Sequence, residues 1–136
     1  MDIRWSDLDP NFHLRHSAYY DLGAVARLDF LQQKGITVES LQKQSIGLVI
    51  FREECVFKKE IFLNDSVTID LKLLKASGDY SRWSMRHTIF KNKDTIAAIL
   101  TLDGAWIDVA KRKLTKPPAS IYDAIKDMPR DEHFEF

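Results

Sequence analysis

Between residues 17 and 34 the apolar side chains Ala18, Tyr19, Leu22, Val25, Ala26, Phe30 and Leu31 recur at steps of three and four, the spacing of one face of an α-helix. Ser17 reads as the N-cap of this helix and Gly35 as its C-cap. Tyr20, Ala24 and Leu28 leave little of the circumference polar, so the helix is expected to be buried on most sides. Downstream the period changes to two. Val67, Ile69, Leu71 and Leu73 alternate with Ser66, Thr68, Asp70 and Lys72, and Trp83, Met85, His87 and Ile89 alternate with Arg82, Ser84, Arg86 and Thr88. Both runs predict half-buried strands. Residues 95–109 form the longest predicted strand, apolar on both faces from Ile96 to Leu100, as in the middle of a sheet or at an interface. A fourth strand is predicted over residues 46–60, with a less regular alternation, and a short one over residues 3–6. The breaks Ala76-Ser77-Gly78-Asp79 and Lys91-Asn92-Lys93-Asp94 are rich in turn formers, so consecutive strands should fold back as antiparallel neighbours. Pro117-Pro118 ends the sheet region, and residues 121–128 predict a short helix before a charged tail.

The order is therefore a short strand, a buried helix and four strands of an antiparallel meander, an α+β arrangement in one domain spanning residues 1–136. One helix covers one face of one sheet. The remaining face and the sheet edge are most simply protected by a second copy of the chain, so a homodimer at least is expected. With 136 residues and 45% hydrophobic content the chain can bury one core of its own. Twenty basic residues balance twenty acidic ones, so no net field favours nucleic acid or an anionic membrane surface, and neither partner is expected. The single Cys55 cannot form an intramolecular disulfide, and no charged segment followed by an apolar one opens the chain. A reducing, cytoplasmic setting is the expectation.

The stretch from Arg4 to Tyr19 is where chemistry concentrates. It places Asp7, Asp9, Asn11, His13 and His16 in a turn that leads directly into the apolar helix. A carboxylate just before a helix start sits beside backbone N–H groups that lack intrahelical partners, and such donors can hold a carbonyl oxygen or a developing oxyanion. The same residues are also good Asx-turn and capping residues, which is a purely structural use. Asp7-x-Asp9-x-Asn11 imitates the first ligands of a calcium loop, but Phe12 stands where the loop needs Gly and Ala18 where it needs Glu, so calcium is rejected. His13 and His16 lack an identifiable third and fourth ligand, and no metal or other cofactor is expected. His87 is expected to be a hydrogen-bonded core histidine, and Trp5, Trp83 and Trp106 to fill the core. Lys111-Arg112-Lys113 could meet phosphates, although a solvated turn is the plainer use.

Arg4-Trp5-Ser6-Asp7-Leu8-Asp9, the Asn11-x-His13 step, Tyr19 and Ala26-Arg27-Leu28-Asp29-Phe30-Leu31 together resemble the opening of the hotdog-fold acyl-CoA thioesterases of the 4-hydroxybenzoyl-CoA thioesterase type. The resemblance covers the first third of the chain. It implies a curved antiparallel sheet wrapped around a long central helix, paired into dimers or tetramers, with an acyl-CoA substrate. Asp9 matches the catalytic carboxylate, as nucleophile or as general base toward water, and the backbone N–H of His16 matches the donor that polarises the thioester carbonyl. Asn11, His13, Ser17 and Tyr19 are expected on the substrate side of this site. Phe12 replaces a common Gly, Arg15-His16 a common Asn pair, Val25 a common Glu of the helix, and Asp29 a later one. Three uses follow from the resemblance and the turn: hydrolysis of acyl-CoA, hydrolysis of an acyl group carried on acyl carrier protein, and a non-catalytic acyl-binding module in which the turn only caps the helix.

Overall fold

The computed structural model describes residues 2–136. The predicted central helix, α1, spans Ala18–Gln33. It ends as expected around Gly35, whose φ of 80° lies in the left-handed region that glycine enters at no steric cost. Gly35 N–H donates to the Gln32 carbonyl and Ile36 N–H to the Leu31 carbonyl, both at 2.9 Å, closing a Schellman motif in which Ile36 and Leu31 share one apolar cluster. Its start differs from expectation. Ser17 has helical φ and ψ, and its side chain makes no capping bond. A short helix, α2 (Val38–Lys43), follows without having been predicted. Thr37 and Ser40 cap it reciprocally: Ser40 N–H donates to Thr37 Oγ1 and Thr37 N–H to Ser40 Oγ.

The strands are β1 (Ile46–Phe57), β2 (Val67–Ile69), β3 (Lys72–Ala76), β4 (Arg82–Lys91), β5 (Thr95–Asp108), β6 (Lys113–Leu114) and β7 (Arg130–Glu135), with helix α3 (Ala119–Lys126) before the last. They form one sheet in the order β1-β5-β4-β3-β7, with β2 also paired to β4 and β6 to β5. The longest predicted strand, β5, lies inside the sheet between β1 and β4, and the β3-β4 and β4-β5 turns fold back as expected. Four expectations are corrected. Residues 5–7 form a 3-10 turn rather than a strand. The predicted strand at 66–73 is broken into β2 and β3. β1 does not neighbour β2 but crosses to pair with β5 in antiparallel register, Cys55 opposite Leu100. The charged tail is a strand, β7, parallel to β3. Charge suits it: Asp131 accepts from Arg86 at 2.7 Å, while Arg130 donates to the Tyr80 hydroxyl and stacks on the rings of Phe134 and Phe136.

The sheet's inner face carries the alternating residues Trp83, Met85, His87 and Ile89, all buried, against α1 and α3. Trp83 and Trp106 fill the core as predicted, but Trp5 is 69% exposed, because its 3-10 turn stands outside the sheet, with Phe12 as its ring neighbour. α1 is buried along Ala18, Tyr19, Gly23, Arg27 and Leu31 rather than on most sides as expected. Its outer face is open, with Val25 44% and Leu28 48% exposed, since a single sheet covers a single side. Beneath α1, Arg27 donates to His87 Nε2 at 2.9 Å, and His87 Nδ1 lies 2.8 Å from the Asp70 carbonyl, so the ring is the core histidine expected. Among the described residues no helix is long and apolar enough to cross a membrane.

Candidate active site

The turn before α1 is built by its own carboxylates. Asp7 is buried and takes a two-pronged hydrogen bond from the Arg4 guanidinium, which holds its carboxyl below the usual carboxylate range. Its role is to tie the chain entry together. Asp9 forms the turn itself: its Oδ1 accepts the N–H of Asn11 at 2.9 Å and of His13 at 3.1 Å, while its backbone exchanges bonds with His13 and Phe12. Phe12 pays for the tightness with φ 64°, a conformation in which glycine carries no Cβ penalty. Among the described residues Asp9 Oδ2 has no partner, so one carboxylate oxygen is committed to the turn and the other is available.

Leu14 N–H then bonds the Ile61 carbonyl and His13 bridges Phe62, which docks the turn onto the segment that follows β1. A cavity of about 280 Å³ opens at this junction, lined by Asp9, His13, Leu14, His16 and Tyr19 from the turn and helix and by Phe57, Lys58, Lys59 and Glu60 from the end of β1. The His13 ring meets Phe62 edge-on at 4.8 Å and lies 3.6 Å from the Glu60 carboxylate. Tyr19 is buried with its ring edge-on to Phe57 at 5.0 Å. Burial, with the nearby Cys55, Glu60 and Asp9, pushes its phenol up to about 12, so it remains a hydrogen-bond donor. Burial and Glu53 likewise push the Cys55 thiol up to about 11, away from the reactive thiolate.

Of the residues expected here from sequence, Asp9, His13, His16 and Tyr19 lie on one cavity. Asn11 and Ser17 do not line it: Asn11 is exposed and contributes its N–H to the Asp9 carboxylate, and Ser17 is exposed at the helix start. Among the described residues the backbone N–H groups of His16 and Ser17 have no acceptor in the protein, which is the condition of donors kept for a ligand. The β1 wall, Phe57 to Glu60, was not anticipated; nothing in residues so far along the chain announces that the fold returns them to the turn. The arrangement brings a carboxylate oxygen, His16 at the helix start and an aromatic wall to one opening. No cluster of three or more His, Cys, Asp or Glu side chains suited to a metal occurs among the described residues.

A long helix cradled by a predominantly antiparallel sheet, entered through a carboxylate-built turn, defines a hotdog-fold protein. The chain belongs to the thioesterase-like superfamily, whose model matches residues 3–125. Among solved structures it is similar to a DHNA-CoA thioesterase from Staphylococcus aureus, at 22% identity and TM-score 0.82, covering 93% of this chain and 85% of that one. A 1,4-dihydroxy-2-naphthoyl-CoA thioesterase from Synechocystis is similar at 16% identity and TM-score 0.83, covering 93% of each chain. A Staphylococcus aureus protein solved in complex with CoA is similar at 20% identity and TM-score 0.82, covering 96% of this chain and 84% of that one.

Proposed function

We propose that this protein hydrolyses acyl-CoA thioesters to a free carboxylate and coenzyme A. The observation that carries the reading is the Asp9 carboxylate, half free, on the same cavity as His16, whose backbone N–H, like that of the adjacent Ser17 at the helix start, has no acceptor among the described residues. The thioester carbonyl oxygen accepts from those donors, and the charge that develops there is stabilised in place. Asp9 either takes a proton from the attacking water or attacks the carbonyl carbon itself; the C–S bond then breaks and the thiolate leaves with a proton from solvent, and in the second case water hydrolyses the resulting acyl-Asp9 anhydride to release the acid and restore the carboxylate. Tyr19, Phe57 and His13 enclose the reacting carbon, and Lys58 and Lys59 at the opening present cations to the phosphates of the carrier. Membership of the superfamily and the thioesterase names of two similar structures support this assignment.

A second copy of the chain pairs along the open edge of β1, where Ile50, Phe51, Val56 and Phe57 are exposed, and closes the side of the cavity that one protomer leaves open. The test of the carrier is thiol release from matched acyl-CoA and acyl-acyl carrier protein. Turnover of the free CoA ester is expected, and activity confined to the protein-linked form would contradict the assignment to CoA. Rapid-quench mass spectrometry of a single turnover in H₂¹⁸O decides the step: an acyl-Asp9 adduct, or ¹⁸O in Asp9, marks direct attack, and ¹⁸O in the released acid with no adduct at any time marks attack by water.

A further inference from the structure

On the face of the sheet turned away from α1 lies a cavity of about 460 Å³, larger than the one beside Asp9 and sharing no lining residue with it. Its floor is one cross-strand row, with Ala76 on β3 opposite Trp83 on β4 and Trp83 opposite Gly104 on β5. Ala76 and Trp83 are buried in the core and Gly104 has no side chain, so the row turns backbone toward the opening. Adjacent positions of a strand point to opposite faces. Lys75, Ser84 and Asp103, opposite one another on the same three strands, therefore form one wall, and Arg82 stands across the floor from them. The volume lies in the range of small-molecule sites.

Two bulges shape the rim. Phe51 is the extra residue in β1, between Ile50 opposite Gly104 and Arg52 opposite Asp103. Leu74 is the extra residue in β3, between Leu73 opposite Met85 and Lys75 opposite Ser84. A bulge re-aims the side chains beside it, and these two bring exposed Phe51 and Lys75 to the cavity, whose far end is closed by Phe136. Charge is left uncompensated there. Arg52 and Arg86 on the same face pair with Glu54 and Asp131, whereas the side chains of Lys75 and Arg82 have no hydrogen-bond or ion-pair partner among the described residues. Asp103 accepts the Ser84 hydroxyl on Oδ1 at 2.6 Å, and its Oδ2 has no partner among them.

Across the strands in the order β1, β5, β4, β3 the cavity presents the Phe51 ring, the free Asp103 oxygen and then the cations of Arg82 and Lys75. At ~4.8 Å per strand, ~10 Å separates the strand of the ring from that of the first cation. A nucleotide carries base, ribose and phosphate in that order and on that scale. We infer that this cavity binds a nucleoside phosphate, with its base stacked on Phe51, a ribose hydroxyl donating to Asp103 Oδ2 and phosphate oxygens accepting from Arg82 and Lys75. Inorganic phosphate would leave Phe51 and Asp103 unused, and an uncharged aromatic would leave both cations unpaired. Strand pairing at the β1 edge engages backbone groups, so a second copy there leaves this face open. A free nucleotide and the nucleotide end of coenzyme A share the chemistry, and the test separates them. The inference does not rest on the thioesterase reading, because no residue of the Asp9 cavity enters it.

The test is calorimetric titration of the intact protein with ADP, adenosine and pyrophosphate. ADP is expected to bind, and the other two, each keeping half of the contacts, to bind at least about tenfold more weakly. Arg82→Gln should cost ADP at least about tenfold in affinity and leave adenosine unchanged, whereas Phe51→Ala should weaken both by the same factor, about fivefold or more. Both side chains are exposed, so both variants should fold, which circular dichroism checks. Arg112→Gln, in the basic turn after β5, should change nothing. Absence of ADP binding up to millimolar concentration would overturn the inference. So would ADP affinity untouched by Arg82→Gln and Phe51→Ala, or lost in Arg112→Gln, either of which would put the nucleotide elsewhere. ADP affinity unaltered by saturating coenzyme A would assign the cavity to a free nucleotide. Displacement of ADP by coenzyme A, weakened in Arg82→Gln, would assign it to the carrier's nucleotide end. No arm reads hydrolysis, so a protein inert toward thioesters would remove the thioesterase reading and leave this one standing.

Discussion

On the proposed mechanism Asp9 divides its two oxygens between structure and chemistry, and the turn that results accounts for its neighbours. Oδ1 holds the N–H groups of Asn11 and His13, while Oδ2 has no partner among the described residues. The structural use of the turn therefore leaves room for the proposed catalytic one in the same side chain. Phe12 is the cost of that geometry, since at φ 64° a residue with a Cβ is disfavoured by roughly 1–2 kcal/mol. Phe12→Gly should raise stability by up to about 1 kcal/mol, the gain being reduced by lost contact with Trp5 and by glycine's greater freedom when unfolded. Urea unfolding measures it, and a fall in stability would show that the ring contact outweighs the strain. The turn was legible in sequence because Asx chemistry acts over two to four residues. Phe57, Lys58, Lys59 and Glu60 were not, because only tertiary folding brings them to Asp9.

At the scale of elements, α1 is anchored through a buried polar line rather than by apolar contact alone. Arg27 reaches His87 on β4 and lies 3.7 Å from Glu53 on β1, so the helix is tied to two strands. Burial, assisted by the adjacent Arg27 charge and opposed by the Asp70 carbonyl, lowers His87 to about 4 from an ordinary 6.5. Between those values the unfolded chain binds a proton that the folded chain refuses. Stability is accordingly whole above pH 6.5 and falls as pH drops toward 4, by at most about 3 kcal/mol from this group. His87→Gln, with no proton to gain, should lose that part of the slope when unfolding at pH 7 and pH 5 is compared; an unchanged slope would place the acid sensitivity elsewhere. Gly23 allows the helix this close, for a Cβ there would collide with Leu100 Cδ2 and press on Arg27 and His87 at 3.2 Å. Gly23→Ala should destabilise by about 1–3 kcal/mol, read as a lowered Tm. Periodicity identified α1 and the long strands because their burial is regular. It overlooked α2, where Ser40 stands in for the usual Glu or Gln of a capping box, and β7, whose strand is held by backbone pairing and ion pairs rather than by an apolar alternation.

For the whole molecule the order of strands decides what is left open. Because β1 lies outside β5 and β7 closes the far side beyond β3, one edge of the sheet is covered by the chain's own tail and the other is offered with exposed apolar side chains. The proposal of a partner can be argued from layers alone, whereas assigning it to the β1 edge needs the crossing of β1, invisible to local pattern. A dimer is expected in sedimentation, and Val56→Lys on that edge should shift it toward monomers; a dimer that persisted unchanged would move the interface away from β1. The central claim, that Asp9 performs the reaction, is tested most directly by kcat/KM for acyl-CoA hydrolysis in wild type and Asp9→Asn, with circular dichroism of both. The amide oxygen can keep the turn's hydrogen bonds while the charge is lost, so the account predicts a folded protein whose kcat/KM falls by at least ~10²-fold. A folded Asp9→Asn variant with wild-type turnover would contradict it.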